Sequence, residues 1–206
     1  VSRVFLLSPA NCGGTRAGFV LNPKADFDLA VRLRTDGATM GEVFTFMSGL
    51  YFRGKLAYAR AFARPPEGLP GVFVITPNEG LRLADEAVDV ARLRRFARGS
   101  IDERNPGYRK PLLRDASALR AMLGPECEVV LLGSVASGKY VGPLLDVLGE
   151  RLLFPAEFVG RGDMSRGGLM LRCVDDGREL TYVPVAGAVR HGPRPPRLAP
   201  LRRRVR

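Results

Sequence analysis

Among the side chains that do chemistry, this chain carries one histidine, His191, three cysteines without paired spacing, and many serines, carboxylates and arginines. The sharpest spacing is GSVASGKY at 133–140, a G-x-x-x-x-G-K pattern between an expected strand and an expected helix. A phosphate-binding loop requires that context, and backbone N–H groups from Ser134 onward together with Lys139 would cradle the phosphates. Tyr140 stands where a Ser or Thr would hold magnesium, and no later strand ends in a suitable Asp, which argues against metal-dependent triphosphate hydrolysis. Two readings stay open: a helix N-terminus that binds one phosphate without metal, and a plain strand-to-helix turn with a surface lysine.

A second cluster is GRGDMSRGG at 160–168, which brings Arg161, Asp163, Ser165 and Arg166 into one glycine-rich stretch. Guanidinium groups there could meet a phosphate while the carboxylate orients a sugar, a base or a water. Its plain alternative is a surface turn. Tyr108 and Arg109 in NPGYRK offer an aromatic face and a cation for stacking and phosphate contact, or else pin a loop. Acid–base work falls to carboxylates, with Asp163 and Glu79 as candidates to activate a water, and Asp85 opening a helix. Lys139, if desolvated, could form an imine. Cys12 lacks a histidine partner and reads as an ordinary loop cysteine.

Cys12, Cys127, Cys173 and the single His191 cannot build a histidine zinc site or a Cys-x-x-Cys knuckle, and Ser–His relays are nearly excluded. No metal or other cofactor is expected. No apolar stretch approaches the roughly 20 residues that cross a bilayer, and the first residues carry no signal-peptide pattern, so the expectation is a cytoplasmic protein without a membrane partner.

The elements that must position these residues follow from the apolar runs. RVFLLSPA at 3–10, GVFVITPNEG at 71–80, EVVLLGS at 128–134 and RLLFPAEF at 151–158 read as strands closed by small residues or proline. Apolar residues at helical spacing from Thr39 to Ala63 predict one long helix or two short ones broken at Gly49 and Gly54. Further helices are expected at about 85–97, 117–123 and 141–148, with 99–117 mostly irregular. LMLRCV, DDG and ELTYVPV read as a C-terminal β-hairpin. The expected fold is α/β, a single domain over 1–187 whose mostly parallel or mixed sheet is flanked by helices, followed by a basic tail at 188–206. In such sheets the site lies beyond the carboxyl ends of the strands, which gathers SPANCGG with Ser8 and Asn11, TPNEG, GSVASGK and GRGDMSRGG.

With 206 residues, 46% of them hydrophobic, the chain can bury a sizeable core. The net charge is +11, and seven arginines with no acid lie in 188–206, which leaves +4 for the rest. The tail reads either as an extended arm that neutralises phosphates or as a solvated end.

The order of these motifs resembles the YaaA peroxide-stress family and a related group of bacterial proteins. The likeness runs through Ser8-Pro9-Ala10 after the first strand, SGLYFRGKLAYA at 48–59, VFVITPNEGLRLADE at 72–86, Tyr108-Arg109, LLGSVASGKY at 131–140 and GRGDMSRGG. Asn11 stands where the family has lysine, and Thr76-Pro77 replaces Ser-Gly. The resemblance implies a DNA-binding protein linked to oxidative damage, with a basic cleft and an activity on nucleobases. Three functions are therefore expected in turn. The first is DNA association through Arg161, Arg166, Lys139 and Arg109. The second is a nucleoside hydrolase or glycosylase using Asp163 or Glu79, and the third is metal-independent nucleotide binding on 133–139.

Overall fold

The computed structural model describes residues 1–199. In chain order the elements are β1 (Arg3–Leu7), α1 (Thr15–Leu21), α2 (Asp28–Thr35), β2 (Ala38–Thr39), α3 (Met40–Ser48), α4 (Leu50–Phe62), β3 (Val72–Ile75), β4 (Leu81–Leu83), β5 (Ala87–Val88), α5 (Val90–Arg98), α6 (Pro106–Met122), β6 (Glu128–Leu132), α7 (Gly138–Leu148), β7 (Leu152–Pro155), α8 (Asp163–Asp176) and β8 (Tyr182–Pro184). The main sheet has the order β4-β3-β1-β6-β7-β8. Its four inner strands are parallel, and β4 and β8 close the edges in antiparallel pairing.

β1 is buried along its whole length because helices cover both faces. Phe5 and Leu7 face one core with Val74, Val130 and Leu132, filled by residues of α1 to α5 and α8. Val4 and Leu6 face the other with Ile75, Val129 and Leu131, closed by α6 and α7. The register sets Phe5 opposite Val72 on one side and Val130 on the other, so the β-branched and aromatic residues meet in rows.

The apolar run from Thr39 forms two helices. Thr39 caps α3 in a reciprocal capping box with Glu42, and Gly49, at φ +58°, takes the left-handed turn that separates α3 from α4. Gly54 does not break α4. It marks the place where α4 meets α8, since a Cβ there would stand 2.6 Å from the carbonyl oxygen of Gly167. These two helices therefore approach at the level of their backbones.

Four sequence expectations are corrected. The C-terminal hairpin forms only in its second half: ELTYVPV supplies β8, while LMLRCVDD completes α8, and Gly177 ends that helix in the left-handed region. Met170 and Cys173 lie buried three residues apart, a helical spacing that outweighs the β-like composition of so short a run. The stretch 160–168, read as a loop, contains the first turns of the same helix. Residues 99–117 are less irregular than expected, because Pro106 occupies the first position of α6 behind the Asn105 cap and starts the helix rather than interrupting it. The helix expected at about 85–97 begins later, at Val90, where Asp89 caps it, and the preceding residues form β5. Residues 188–199 have no regular structure and pass beside α8, where Arg172 donates to the carbonyl of Ala199. Arg202, Arg203, Arg204 and Arg206 of the basic tail lie outside the described residues.

Candidate functional site

The chain leaves β1, forms β3 on one side, and then crosses back to form β6 on the other. The carboxyl ends of β1 and β6 therefore flank a topological switch point, where open α/β sheets bind their ligands. There the N–H of Ser8 donates to Leu132 O at 3.1 Å. Gly133 lets the two strand ends touch, because a Cβ in its place would stand 2.9 Å from Ser8 Cβ. Above this contact opens a cavity of about 530 Å³, within the usual range for small-molecule sites.

Six of the residues singled out from the sequence line that cavity: Ser8, Asn11, Ser134, Lys139, Tyr140 and Asp163. Asn11 accepts from the Gly13 N–H at 3.1 Å, which holds the loop after β1 in a tight turn. Lys139 lies 5.1 Å over the Tyr140 ring. Burial raises the Tyr140 phenol above its ordinary range. Asp163 opens α8 with its carboxylate largely exposed, 3.5 Å from the Arg166 guanidinium. Cys12 also lines the cavity, and burial pushes its thiol up to about 12, so it stays protonated and is a poor nucleophile.

The other six sit elsewhere. Tyr108 is fully buried and donates to the carbonyl of Lys139 at 2.8 Å, so it pins the 133–139 loop and offers no stacking face. Arg109 pairs with Asp146 at 2.6 Å, bridging α6 and α7 on the surface. Glu79 is held by Arg92 at 2.7 Å, with Arg82 and Arg95 nearby, and does not line the cavity. Arg161 donates to Glu157 O at 3.0 Å and to Ser165 Oγ at 3.2 Å, and Arg161 and Ser165 line a second groove. Arg166 is buried, and two of its guanidinium nitrogens donate to Phe158 O at 3.2 and 3.0 Å. Three arginines assigned to phosphates thus spend donors on protein partners.

The structure adds three groups that the sequence pattern does not single out. Lys55, on α4, is fully buried, and its Nζ lies 2.5 Å from Ser8 O and 2.8 Å from Ser8 Oγ. Burial lowers its pKa to about 7; Asp163 opposes that shift and Arg166 adds to it. Its signal is a lysine on the stripe of Phe52, Leu56, Ala59 and Phe62, where an apolar residue belongs. One turn earlier, Tyr51 lines the cavity with a buried hydroxyl that has no hydrogen-bond partner among the described residues. Burial pushes that phenol up to about 12, so it remains a donor. Glu103 lies over the first turn of α7: a Cβ on Gly138 would stand 2.8 Å from both of its carboxylate oxygens. Its charge already occupies space beside the helix N-terminus expected to take a phosphate, which disfavours a second anion there.

No protein-family model, curated protein or solved structure matches this chain. Among the described residues no cluster of three His, Cys, Asp or Glu side chains could hold a metal ion, and no helix is long and apolar enough to cross a membrane.

The chemistry available is that of a polar pocket with apolar walls. Phe96, Tyr51, Tyr140 and Pro77 supply flat or apolar surface, while Ser134, Asn11 and Lys139 supply hydrogen bonds and a cation. Asp163 is the carboxylate facing the same space.

Proposed function

We propose that the chain is an enzyme acting on a nucleoside-like small molecule held in the switch-point cavity, with Asp163 as the base that activates water at a glycosidic carbon. The observation that carries this reading is the Tyr51 hydroxyl, buried in the cavity wall with Ser8 and Arg166 close by but no partner at full hydrogen-bond geometry. Leaving such a donor unsatisfied costs about 1–3 kcal/mol, a cost a polar ligand group would offset. The aromatic and apolar side chains suit the faces of a base, and the serines and Asn11 suit its edges. Lys139 supplies a further hydrogen-bond donor at the cavity wall. Calorimetry with a panel of free bases, nucleosides and nucleoside monophosphates, followed by chromatography of the products, tests the proposal. Asp163→Asn should keep binding and lose turnover by a hundredfold or more, in line with the roughly 10²–10⁴ of general base catalysis. Full turnover in that variant would remove the mechanism.

A second reading, DNA association, draws on the net charge, on the YaaA resemblance and on the groove beside the cavity. That groove runs between α4, α8 and residues 194–198 and is lined by Arg53, Arg161, Arg172, Arg194 and Arg197. Backbone phosphates would be its ligands, and α8 would carry Asp163 toward the cavity and Arg172 toward the groove. Neutralising two of these arginines should reduce the slope of log affinity against log salt by about 1.4–1.8, as counterion release requires. An unchanged slope would remove the groove from any nucleic-acid site.

A further inference from the structure

Lys55 supplies an amine where a helix normally buries an aliphatic side chain, and its burial disfavours the charged form. No carboxylate forms an ion pair with it among the described residues; Asp163, whose charge reaches it, is turned to Arg166. A neutral amine has two N–H groups and one lone pair. Nζ donates to Ser8 O at 2.5 Å and to Ser8 Oγ at 2.8 Å; in the neutral amine one N–H can stay on the carbonyl while the lone pair turns to the Ser8 hydroxyl proton. The aromatic rings of Tyr51 and Phe52 lie 4.3 and 5.0 Å from Nζ and pack against the buried amine. Ser8 itself faces the cavity.

We propose that Ser8 and Lys55 are a nucleophile and its general base, and that the cavity performs acyl transfer through a covalent ester on Ser8. The substrate class is an ester or amide whose carbonyl reaches the floor of the cavity. Ser8 Oγ forms a bond to the carbonyl carbon, the π pair moves to the carbonyl oxygen, and the hydroxyl proton passes to Lys55 Nζ. Collapse of the tetrahedral adduct expels the alcohol or amine, which takes that proton from Lys55. Water then attacks the ester, giving its proton to Lys55, and the acid departs as Ser8 Oγ recovers the proton. The balance is hydrolysis of one ester or amide bond by one water. A nucleophile activated by an adjacent base is the general requirement for a weakly acidic hydroxyl. This inference rests on the cavity being the functional site, but not on a nucleoside filling it.

The test is labelling of the full chain with a fluorophosphonate, which transfers its phosphonyl group to an activated serine and releases fluoride. One adduct, mapped to Ser8 by peptide mass spectrometry and lost in Ser8→Ala, is expected. The labelling rate should rise with pH to a plateau with a midpoint near 7. The groups facing the amine are Asp163 and Arg166 on α8 and Tyr51 on its own helix, and the loop after β1 contributes Ser8. Lys55→Met, which fills the same buried space, should slow labelling at least about a hundredfold. No adduct, an adduct elsewhere, a flat pH profile in the wild-type chain, or equal rates in a folded Lys55→Met would each overturn the proposal. The pH profile needs no variant to fold. Labelling at Ser8 without nucleoside binding would sink the nucleoside reading alone, and nucleoside binding without labelling would sink this one alone.

Discussion

Replacing Lys55 with Met tests whether the amine is buried in its neutral form, and its effect on stability can be worked from the structure. In the folded chain burial holds the Lys55 pKa at about 7, against 10.5 for an unhindered lysine. The unfolded chain therefore binds more protons than the folded one between those values, and stability must rise with pH across that window. Below pH 7 both states are protonated and the penalty for the buried charge is at its largest. Each tenfold difference in proton affinity between the two states is worth about 1.36 kcal/mol, so the penalty is about 5 kcal/mol at pH 6 and about 2 kcal/mol at pH 9. Lys55→Met has no group to titrate. The stability of the wild-type chain minus that of the variant should therefore be higher at pH 9 than at pH 6 by about 3 kcal/mol. The chain has no tryptophan, so urea unfolding is followed by circular dichroism at the two pH values. The gap between urea midpoints should shift by roughly 1–3 M, for a slope of about 1–3 kcal/mol per M. A gap that stays constant with pH would mean that Lys55 is charged in the folded chain, and the assignment of a neutral base would fail with it.

Gly54→Val should destabilise the chain by about 1–3 kcal/mol or more, because the new side chain meets the backbone of α8 at Gly167; a thermal melt reads it, and an unchanged midpoint would contradict the close approach of α4 and α8. Tyr108→Phe should cost about 1 kcal/mol by leaving the Lys139 carbonyl without its buried donor, and hydrogen exchange should quicken in the 133–139 loop. Glu79→Gln should lower stability, through the loss of a partly buried partner for Arg92, while leaving any turnover unchanged; a lost turnover with intact stability would return Glu79 to the site. The exposed Arg109–Asp146 pair should show a coupling of no more than about 1 kcal/mol in a double-mutant cycle, and a larger value would mean that it does more than join α6 to α7.

The strands are the most legible part of the sequence because a strand covered on both faces is a continuous apolar run, as RVFLL and EVVLL are. Their alternation with helices points to a largely parallel sheet, and that sheet points to the loops after β1 and β6. α8 escapes the sequence pattern because its short apolar run fits either period, and only the packing of Met170 and Cys173 decides between them. The prolines of α6 mislead because one residue type marks both the start of a helix and its interruption. In the site, position along the chain predicts well for loops at strand ends and poorly for charges. Glu79 follows β3, yet arginines of β4 and α5 claim it, and no local pattern announces such a long-range pairing. Lys55 is legible in principle as a cation on an apolar stripe, but its partner Ser8 lies 47 residues away, and their meeting depends on how α4 crosses β1.

The account rests on the switch-point cavity being where this protein meets its ligand. The most direct measurement is calorimetry of the nucleoside panel on the wild-type chain and on Ser100→Trp, whose exposed position at the cavity rim accepts a large side chain without disturbing the core. Binding to the wild-type chain and its loss in a variant that melts at the same temperature is the predicted result. No binding by the wild-type chain would remove the nucleoside reading, and equal binding by both would contradict the account.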